Sequence, residues 1–345
     1  MESENHNEGT NVSPWEPTRF LRTAAPSEVK LSRGFLRCRP EKWFPGFAAQ
    51  WLPLGHSLGV EMKMIEAKPV LHTPIEQSIG FVGTIDGEPI GLSIDPASAR
   101  VVTEAIVPGG LRGGDSQSGG LVLEYLARRL LTSLAAAWTG PQSSQVRFEP
   151  EIGFQEVDPG GDVRINFSVN GTPAQVVISL GRFLVDRLDS LWRRQVHSTG
   201  RAVEAGSEIA LEIAQLAVPP SMLGDYLRSG TLIDLESRAS DALTLRAGTK
   251  AWHSARGCIS NGCYAFEVIP GGSAPPGLPE GTTRLSISLG STRLDGGVVA
   301  ELAQSGAMWE TTVPATDRVE LLINGEAVGE GRLGLYEGRF AVTVA

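Results

Sequence analysis

The fold is decided by three runs near the end of the chain, Leu285-Ser-Ile-Ser-Leu289-Gly290, Asp317-Arg-Val319-Glu-Leu321-Leu-Ile323-Asn324-Gly325 and Gly338-Arg-Phe340-Ala-Val342-Thr-Val344. Apolar and polar residues alternate in each run, and this period of two predicts strands with one buried face. Asn324-Gly325 favours a tight reversal, because both residues tolerate a positive φ. The runs therefore predict a small antiparallel β module at residues 284–345.

An ungapped internal repeat relates this module to the segment before it. Equivalent residues of the two copies are always as far apart in the sequence as Ile209 and Leu285, and we call this constant separation the repeat offset. The first strand of the module has its counterpart in Ile209, Leu211 and Ile213, which fall on Leu285, Ile287 and Leu289. The later matches are Leu243 with Val319, Leu245 with Leu321, Gly262 with Gly338, Tyr264 with Phe340, Phe266 with Val342 and Val268 with Val344. Residues 207–269 are therefore predicted to be a second, more diverged copy.

The stretch between the copies, residues 270–283, is too rich in Pro and Gly to form a regular element and is predicted to be a spacer. Each copy has roughly 60 residues, a size that buries only about 60% of the unfolded surface and is marginal alone. Since no disulfide or metal site is evident, we expect the two copies to complete each other's core. The alternative is a pair of independent β modules on one tether.

The second copy resembles the SPOA (surface presentation of antigens) domain, which flagellar motor-switch proteins share with the cytoplasmic ring proteins of type III secretion systems. The resemblance is carried by the strand at residues 285–289 with the Leu-rich segment after it, the Val-x-Leu-x-Ile-Asn-Gly hairpin from Val319 to Gly325, and the Gly-x-Gly-x-Leu that ends at Leu333. The first copy keeps Leu243-Thr-Leu245 and the turn glycines. It has Ala247-Gly248 where the second has Ile323-Asn324-Gly325.

Two such copies behind an α+β region look like the SctQ class of type III secretion proteins (YscQ, HrcQ and SpaO relatives). This resemblance implies a non-enzymatic scaffold of the cytoplasmic C-ring or sorting platform, without a cofactor, at the cytoplasmic face of the inner membrane. The implied partners are the stator of the export ATPase, the inner-membrane ring adaptor, chaperone–effector complexes, and a further copy or a C-terminal SPOA fragment. Related SPOA pairs interlock by strand exchange. The residues expected in the shared core or at a protein interface are Leu243, Leu245, Phe266, Leu285, Ile287, Leu289, Val319, Leu321, Ile323, Phe340 and Val342.

A flagellar motor-switch component is the alternative. The long switch subunit carries one SPOA copy after a phosphatase-like middle domain, and its N-terminal segment binds a response regulator. The short subunit also carries one copy. Both match a chain with two copies less well.

The first two hundred residues predict a flexible tail over 1–30, an α+β domain over 31–196 and a linker over 197–206. Asp86-Gly87 and Asn170-Gly171 each lie between alternating runs and predict hairpins. Leucines at helical spacing predict one helix from Ser118 to Trp138, with Ser118 as its cap, and another through Leu184, Leu188 and Leu191. The fold class expected for the whole chain is an α+β domain followed by two interlocked, mostly β domains.

The composition of the chain argues against several classes of protein, namely nucleic-acid-binding, secreted and membrane-spanning proteins. The 345 residues suffice for two or three domains, and a net charge of −9 argues against binding of nucleic-acid phosphates. The acidic N-terminus is unlike a signal peptide, and no apolar run is long enough for a membrane span. Three cysteines make no disulfide framework, so a reducing cytoplasm is the expected compartment.

Three strings invite an enzyme or metal interpretation. Residues 329–334 match G-x-G-x-x-G, but a strand is predicted after them rather than the helix that a dinucleotide site needs, so glycines in β turns are favoured. Residues 55–59 match G-x-S-x-G, yet the strand required before Ser57 is interrupted by Pro53. His253, Cys258 and Cys263 lack a fourth zinc ligand nearby. The sequence therefore favours an assembly protein over a hydrolase.

Overall fold

The described strands form two separate sheets, one in each of two compact units. The units comprise residues Ser27–Gln195, and residues Met1–Pro26 together with Val196–Ala345. The computed structural model describes residues 12–37, 59–70, 78–107, 116–139, 146–148, 159–199, 207–248, 250–269, 271–272, 275, 277–294, 298, 302 and 307–345.

The first unit contains a six-stranded antiparallel sheet. Its strands are β3 (Met62–Val70), β4 (Ile79–Ile85), β5 (Glu88–Ile94), β6 (Val146–Phe148), β7 (Pro159–Val169) and β8 (Thr172–Gly181), in the order β3-β7-β8-β5-β4-β6. Both predicted hairpins are confirmed: Asp86-Gly87 joins β4 to β5, Asn170-Gly171 joins β7 to β8, and all four residues have a positive φ.

Four helices of the described ranges belong to this unit. They are α2 (Pro26–Arg37), α3 (Pro96–Ile106), α4 (Ser116–Thr139) and α5 (Arg182–Thr199). The helical pattern of α4 buries Leu123, Leu126 and Leu130 in the same core as the inner face of the sheet. Both predicted helices are confirmed, but α4 begins two residues before Ser118, so the predicted cap is wrong.

Two ion pairs join α2 to α5 and differ in burial, and Asp189 of the second pair also accepts a hydrogen bond from Nε of Arg193 within α5. Nζ of Lys30 lies 2.7 Å from Oδ1 of Asp186, and Nε of Arg33 lies 2.7 Å from Oδ1 of Asp189. The side chains of the first pair are 37% and 44% exposed, whereas those of the second are 1% and 7% exposed. The buried pair therefore fixes how α2 lies on α5.

The second unit contains a twelve-stranded sheet. Its strands are β1 (Ser13–Pro14), β2 (Arg22–Thr23), β9 (Ser207–Val218), β10 (Leu232–Asp234), β11 (Leu243–Ala247), β12 (Lys250–Ser260), β13 (Cys263–Val268), β14 (Thr283–Leu294), β15 (Met308–Pro314), β16 (Arg318–Ile323), β17 (Glu326–Tyr336) and β18 (Arg339–Val344). The main path runs β10-β18-β17-β16-β14-β9-β11-β12-β13-β15, with β1 against β17 and β2 against β12. Two short helices, α1 (Pro17–Phe20) and α6 (Leu223–Tyr226), and a 3₁₀ turn at Pro220–Met222 complete the unit.

Two boundaries differ from the sequence expectations. The flexible tail over residues 1–30 is wrong for residues 12–30: residues 12–24 lie on the second sheet and α2 begins at Pro26. Their strand pairs and the buried Trp15 provide contacts that the polar composition of the tail did not indicate. The linker predicted at residue 197 begins inside α5, which continues to Thr199. Within the described ranges, no helix is both long enough and apolar enough to cross a membrane.

The two ion pairs between α2 and α5 give a matched test of burial. Asp189→Ala should lower the free energy of unfolding by about 3 kcal/mol, because it replaces the carboxylate beside the buried guanidinium of Arg33 with a methyl group. The same change removes the more exposed pair of Asp189 with Arg193, which should add less than about 1 kcal/mol. Asp186→Ala, which removes the exposed pair, should lower it by less than about 1 kcal/mol. Urea denaturation followed by circular dichroism measures both values, and equal losses would contradict the assignment.

Candidate functional site

The second unit has an internal pseudo-two-fold arrangement that follows the repeat offset. Strands β9, β12 and β13 end at Val218, Ser260 and Val268, and β14, β17 and β18 end at the residues one repeat offset later. The turns match as well, since Asn261-Gly262 and Glu337-Gly338 all have a positive φ. The repeat found in the sequence is therefore also a repeat of structure.

The two copies meet at the antiparallel pair of β9 and β14. Ten pairs of residues are aligned across it, from Ser207 opposite Leu294 to Val218 opposite Thr283. Strand β9 also pairs with β11 of its own copy, and β14 pairs with β16 of its own copy. The registers are equivalent, with Leu211 opposite Leu245 and Ile287 opposite Leu321. One continuous sheet results.

Two further strand pairs cross between the copies. Strand β10 of the first copy pairs with β18 of the second, Ile233 opposite Val342. Strand β15 of the second copy pairs with β13 of the first, Trp309 opposite Phe266. The repeat offset relates Ile233 to Trp309 and Phe266 to Val342, so the two pairs have the same register. Each copy thus supplies one strand to the far edge of the other.

The residues expected in the shared core or at an interface lie mainly inside this unit. Ten of the eleven are buried, namely Leu243, Leu245, Phe266, Leu285, Ile287, Leu289, Val319, Leu321, Phe340 and Val342. Ile323 is only partly buried. The side chains are therefore placed to hold the chain's own strands together.

An N-terminal segment, which we call the strap (residues 12–24), lies across both copies. Strand β1 pairs with β17 at Gly334 and Leu335, and β2 pairs with β12 at Cys258 and Ile259. Gly334 and Leu335 lie one repeat offset after Cys258 and Ile259. The strap thus covers equivalent stretches of β17 and β12. These stretches lie beyond the residues of β17 that pair with β16 and the residues of β12 that pair with β11.

Trp15 anchors the strap between equivalent aromatic residues of the two copies. Its Nε1 donates a hydrogen bond to the hydroxyl of Tyr264 at 3.1 Å, and its ring meets that of Phe340 edge to face at a centroid distance of 4.9 Å. Trp15 is 4% exposed. Burial raises the pKa of Tyr264 to about 12, a rise that the bond from Trp15 opposes and the charge of Asp317 reinforces.

The strap is not evident from the sequence because residues 1–30 are polar overall and show no periodic pattern. The available signal was a large aromatic residue, Trp15, between Pro14 and Pro17, where proline favours an extended or newly starting element. The large apolar ring of a tryptophan stabilises a protein only when it is buried. Trp15 therefore indicates that this segment packs against the folded protein.

The glycines of residues 329–334 lie inside β17 and not in turns, so the expectation of turn glycines is wrong. Two of them leave room for neighbouring side chains. A Cβ at Gly331 would lie 2.6 Å from Cγ1 of Val342, and one at Gly334 would collide with Val12 of the strap. The motif therefore serves the packing of strands and not the binding of a dinucleotide phosphate.

The other two motifs gain no support as chemical sites. The odd spacing of His253 and Cys258 along β12 places them on opposite faces of that strand. No metal-binding group of His, Cys, Asp and Glu is found in the portion of the chain that the structure describes. Ser57 lies outside the described residues.

Comparison with known proteins gives one family match. Residues 282–345 match the model of the "Type III flagellar switch regulator (C-ring) FliN C-term" family. This covers the second copy of the repeat and leaves the first copy and the six-stranded unit unmatched. No curated protein sequence matches the chain.

Several solved structures are similar at a low level. The FliM middle domain of Helicobacter pylori is 12% identical with a TM-score of 0.36, over 47% of this chain and 97% of that one. The chemotaxis protein CheX of Desulfovibrio desulfuricans is 12% identical with a TM-score of 0.29, over 39% and 95%. FliY of Thermotoga maritima is 11% identical with a TM-score of 0.27, over 41% and 87%. Similarity at this level assigns no function to the chain.

The strap makes a testable contribution to stability. Trp15→Ala should lower the free energy of unfolding of the second unit by about 3 kcal/mol, since it empties a buried site between Tyr264 and Phe340. Phe20→Ala, which removes the exposed ring stacked on Trp15, should lower it by less than about 1 kcal/mol. Thermal unfolding followed by near-ultraviolet circular dichroism compares the two variants, and an unchanged transition in Trp15→Ala would show that the strap is not held there.

Proposed function

We propose that the protein is a scaffold component of a bacterial type III secretion apparatus, in its cytoplasmic ring or sorting platform. The observation that carries the proposal is the match of residues 282–345 to a C-ring family, together with the structural repeat that extends the same arrangement to residues 207–269. A chain with two such copies fits the secretion class that the sequence resembles. Its work is then binding and assembly, without a cofactor.

We further propose that residues 207–269 and 284–345 are two SPOA domains interlocked by strand exchange. The crossing pairs of β10 with β18 and of β15 with β13 support this interpretation. So does the burial of Leu245 and Leu321, which occupy the same position in the two copies and are both 0% exposed.

The two ends of the sheet offer places for partners. Strands β10 and β15 are the outermost strands of the main path in the described part of the chain. An outermost strand presents backbone N–H and C=O groups to which an extended segment of another protein can add. The partners proposed are the stator of the export ATPase, the inner-membrane ring adaptor, chaperone–effector complexes and a further copy of this chain.

A flagellar motor-switch component is the second candidate. The description of the matching family favours it directly, since that family is named for the flagellar switch regulator. The two candidates differ in partners: a secretion scaffold should associate with ring proteins and a rotary-type ATPase, and a switch component with the flagellar motor.

Val342 and Thr343 provide a matched pair for testing the function. They are neighbours on β18, but Val342 is 0% exposed and faces the interior, whereas Thr343 is exposed. Val342→Asp buries an unpaired charge and should abolish capture of the stator from cells of the host, while Thr343→Asp should leave capture unchanged. Affinity capture with the full chain and identification of the bound proteins gives the result.

Three results would decide against the secretion scaffold. Flagellar motor proteins captured in place of secretion proteins would favour the second candidate. Equal capture by both variants would show that the interlocked unit is not the binding element. Catalytic turnover of an ester that disappears in Ser57→Ala would restore the hydrolase alternative.

A further inference from the structure

A cavity of ≈ 310 Å³ with a mixed polar and apolar lining lies in the second unit where the two copies meet. Strand β9 contributes Glu208 and Glu212 to its lining, and β11 contributes Arg246. From the other copy, β14 contributes Ser291 and β16 contributes Glu320 and Leu322. The cavity thus belongs to the pair of copies and to neither alone.

The hairpin turns of both copies border this cavity and touch each other. Gly248 follows β11 and Gly325 follows Asn324 in the turn after β16, and both glycines have a positive φ. A Cβ at position 325 would lie 3.0 Å from the carbonyl oxygen of Gly248, so this close approach needs a glycine. The two turns therefore lie in close contact at the edge of the cavity.

Negative charge exceeds positive charge around the cavity. Glu208, Glu212 and Glu320 line it, against the guanidinium of Arg246 and that of Arg284, which interacts with both Arg246 and Glu212. Burial, reinforced by the charges of Glu208 and Glu330, raises the pKa of Glu320. A carboxylate so placed is stabilised by any cation that enters.

One buried oxygen in the cavity wall has unused acceptor capacity. Oε2 of Glu212 accepts a hydrogen bond of 2.7 Å from Nε of Arg246, and the two side chains are 1% and 4% exposed. Oε1 of Glu212 is buried and accepts no hydrogen bond from any residue that the structure describes. A buried carboxylate oxygen without a donor is costly, so a donor from a bound group would stabilise it.

The fold itself does not require this ion pair. At the equivalent positions of the other copy, one repeat offset later, Arg246 is replaced by Leu322 and Glu212 by Ser288. The same strands pair in the same register around both sites. The buried ion pair is therefore a feature of the first copy alone, and such a pair often stabilises a protein no more than apolar residues do.

We propose that this cavity binds a cationic group with several N–H donors, a guanidinium or a primary ammonium. The group would lie between Glu320 and Glu208 and donate to Oε1 of Glu212. Such a group can come from a free amine or from an arginine or lysine side chain of a partner protein. The inference does not depend on which apparatus the chain serves.

The test is isothermal titration of the full-length protein with agmatine, which carries both groups, and with acetyl-Gly-Arg-Gly-amide. Saturable binding is expected, and Glu320→Gln should weaken it about tenfold by removing one charged acceptor. Glu337→Gln is the control, because it changes the same charge in the exposed turn at the opposite end of β17. Butanol and acetyl-Gly-Gln-Gly-amide are the uncharged control ligands. An unfolding midpoint of Glu320→Gln that is not lowered shows that the cavity is intact.

The outcomes are distinct. Binding of agmatine with the expected loss in Glu320→Gln supports a site for a free amine. Binding of the arginine peptide alone, with the same loss, supports a site for a partner's side chain. The proposal is overturned if neither binds, if the uncharged ligands bind as well, or if Glu320→Gln and Glu337→Gln behave alike.

Discussion

The structure of the second unit depends on the antiparallel pairing of β9 with β14, because this pairing joins the two repeat copies into one sheet. Ile209, Leu211, Leu285 and Ile287 lie on these two strands and are all 0% exposed. A module of roughly 60 residues buries only enough surface to be marginally stable by itself. The pairing solves that problem by extending the hydrophobic core through both copies, and the crossing strands β10 and β15 extend it to the outer edges.

The strands of the second unit repeat from one copy to the other, but the strap and the cavity do not follow this symmetry. The strap contacts equivalent stretches of both copies, yet it is a single segment that runs antiparallel to β17 and parallel to β12. The cavity likewise lies between equivalent strands, but the buried Glu212–Arg246 pair belongs to the first copy. The two copies therefore have the same strand positions, but they differ in how the strap pairs with them and in the side chains that they contribute to the cavity.

Much of this frame could be predicted from the sequence, because its signals are local. Alternation marked the strands, Asn-Gly and Asp-Gly marked the hairpins, and the repeat offset related β9 to β14. The strap could not be found in the same way, since β1 and β2 have two residues each and no period to detect. The cavity was missed because Glu212 and Arg246 lie on different strands and look like ordinary solvent-facing residues in an alternating pattern. The roles of the core residues beyond packing, and the domain limits within the second unit, remain predictions.

The central claim is that the two copies form one interlocked unit. Its most direct test is cleavage of the full chain at a protease site inserted between Gly277 and Leu278, in the spacer between β13 and β14, followed by native mass spectrometry. The account predicts that both fragments stay together in one particle and unfold in one transition, because β9–β14 and the two crossing pairs still hold them. Separation into two folded fragments under native conditions would contradict it.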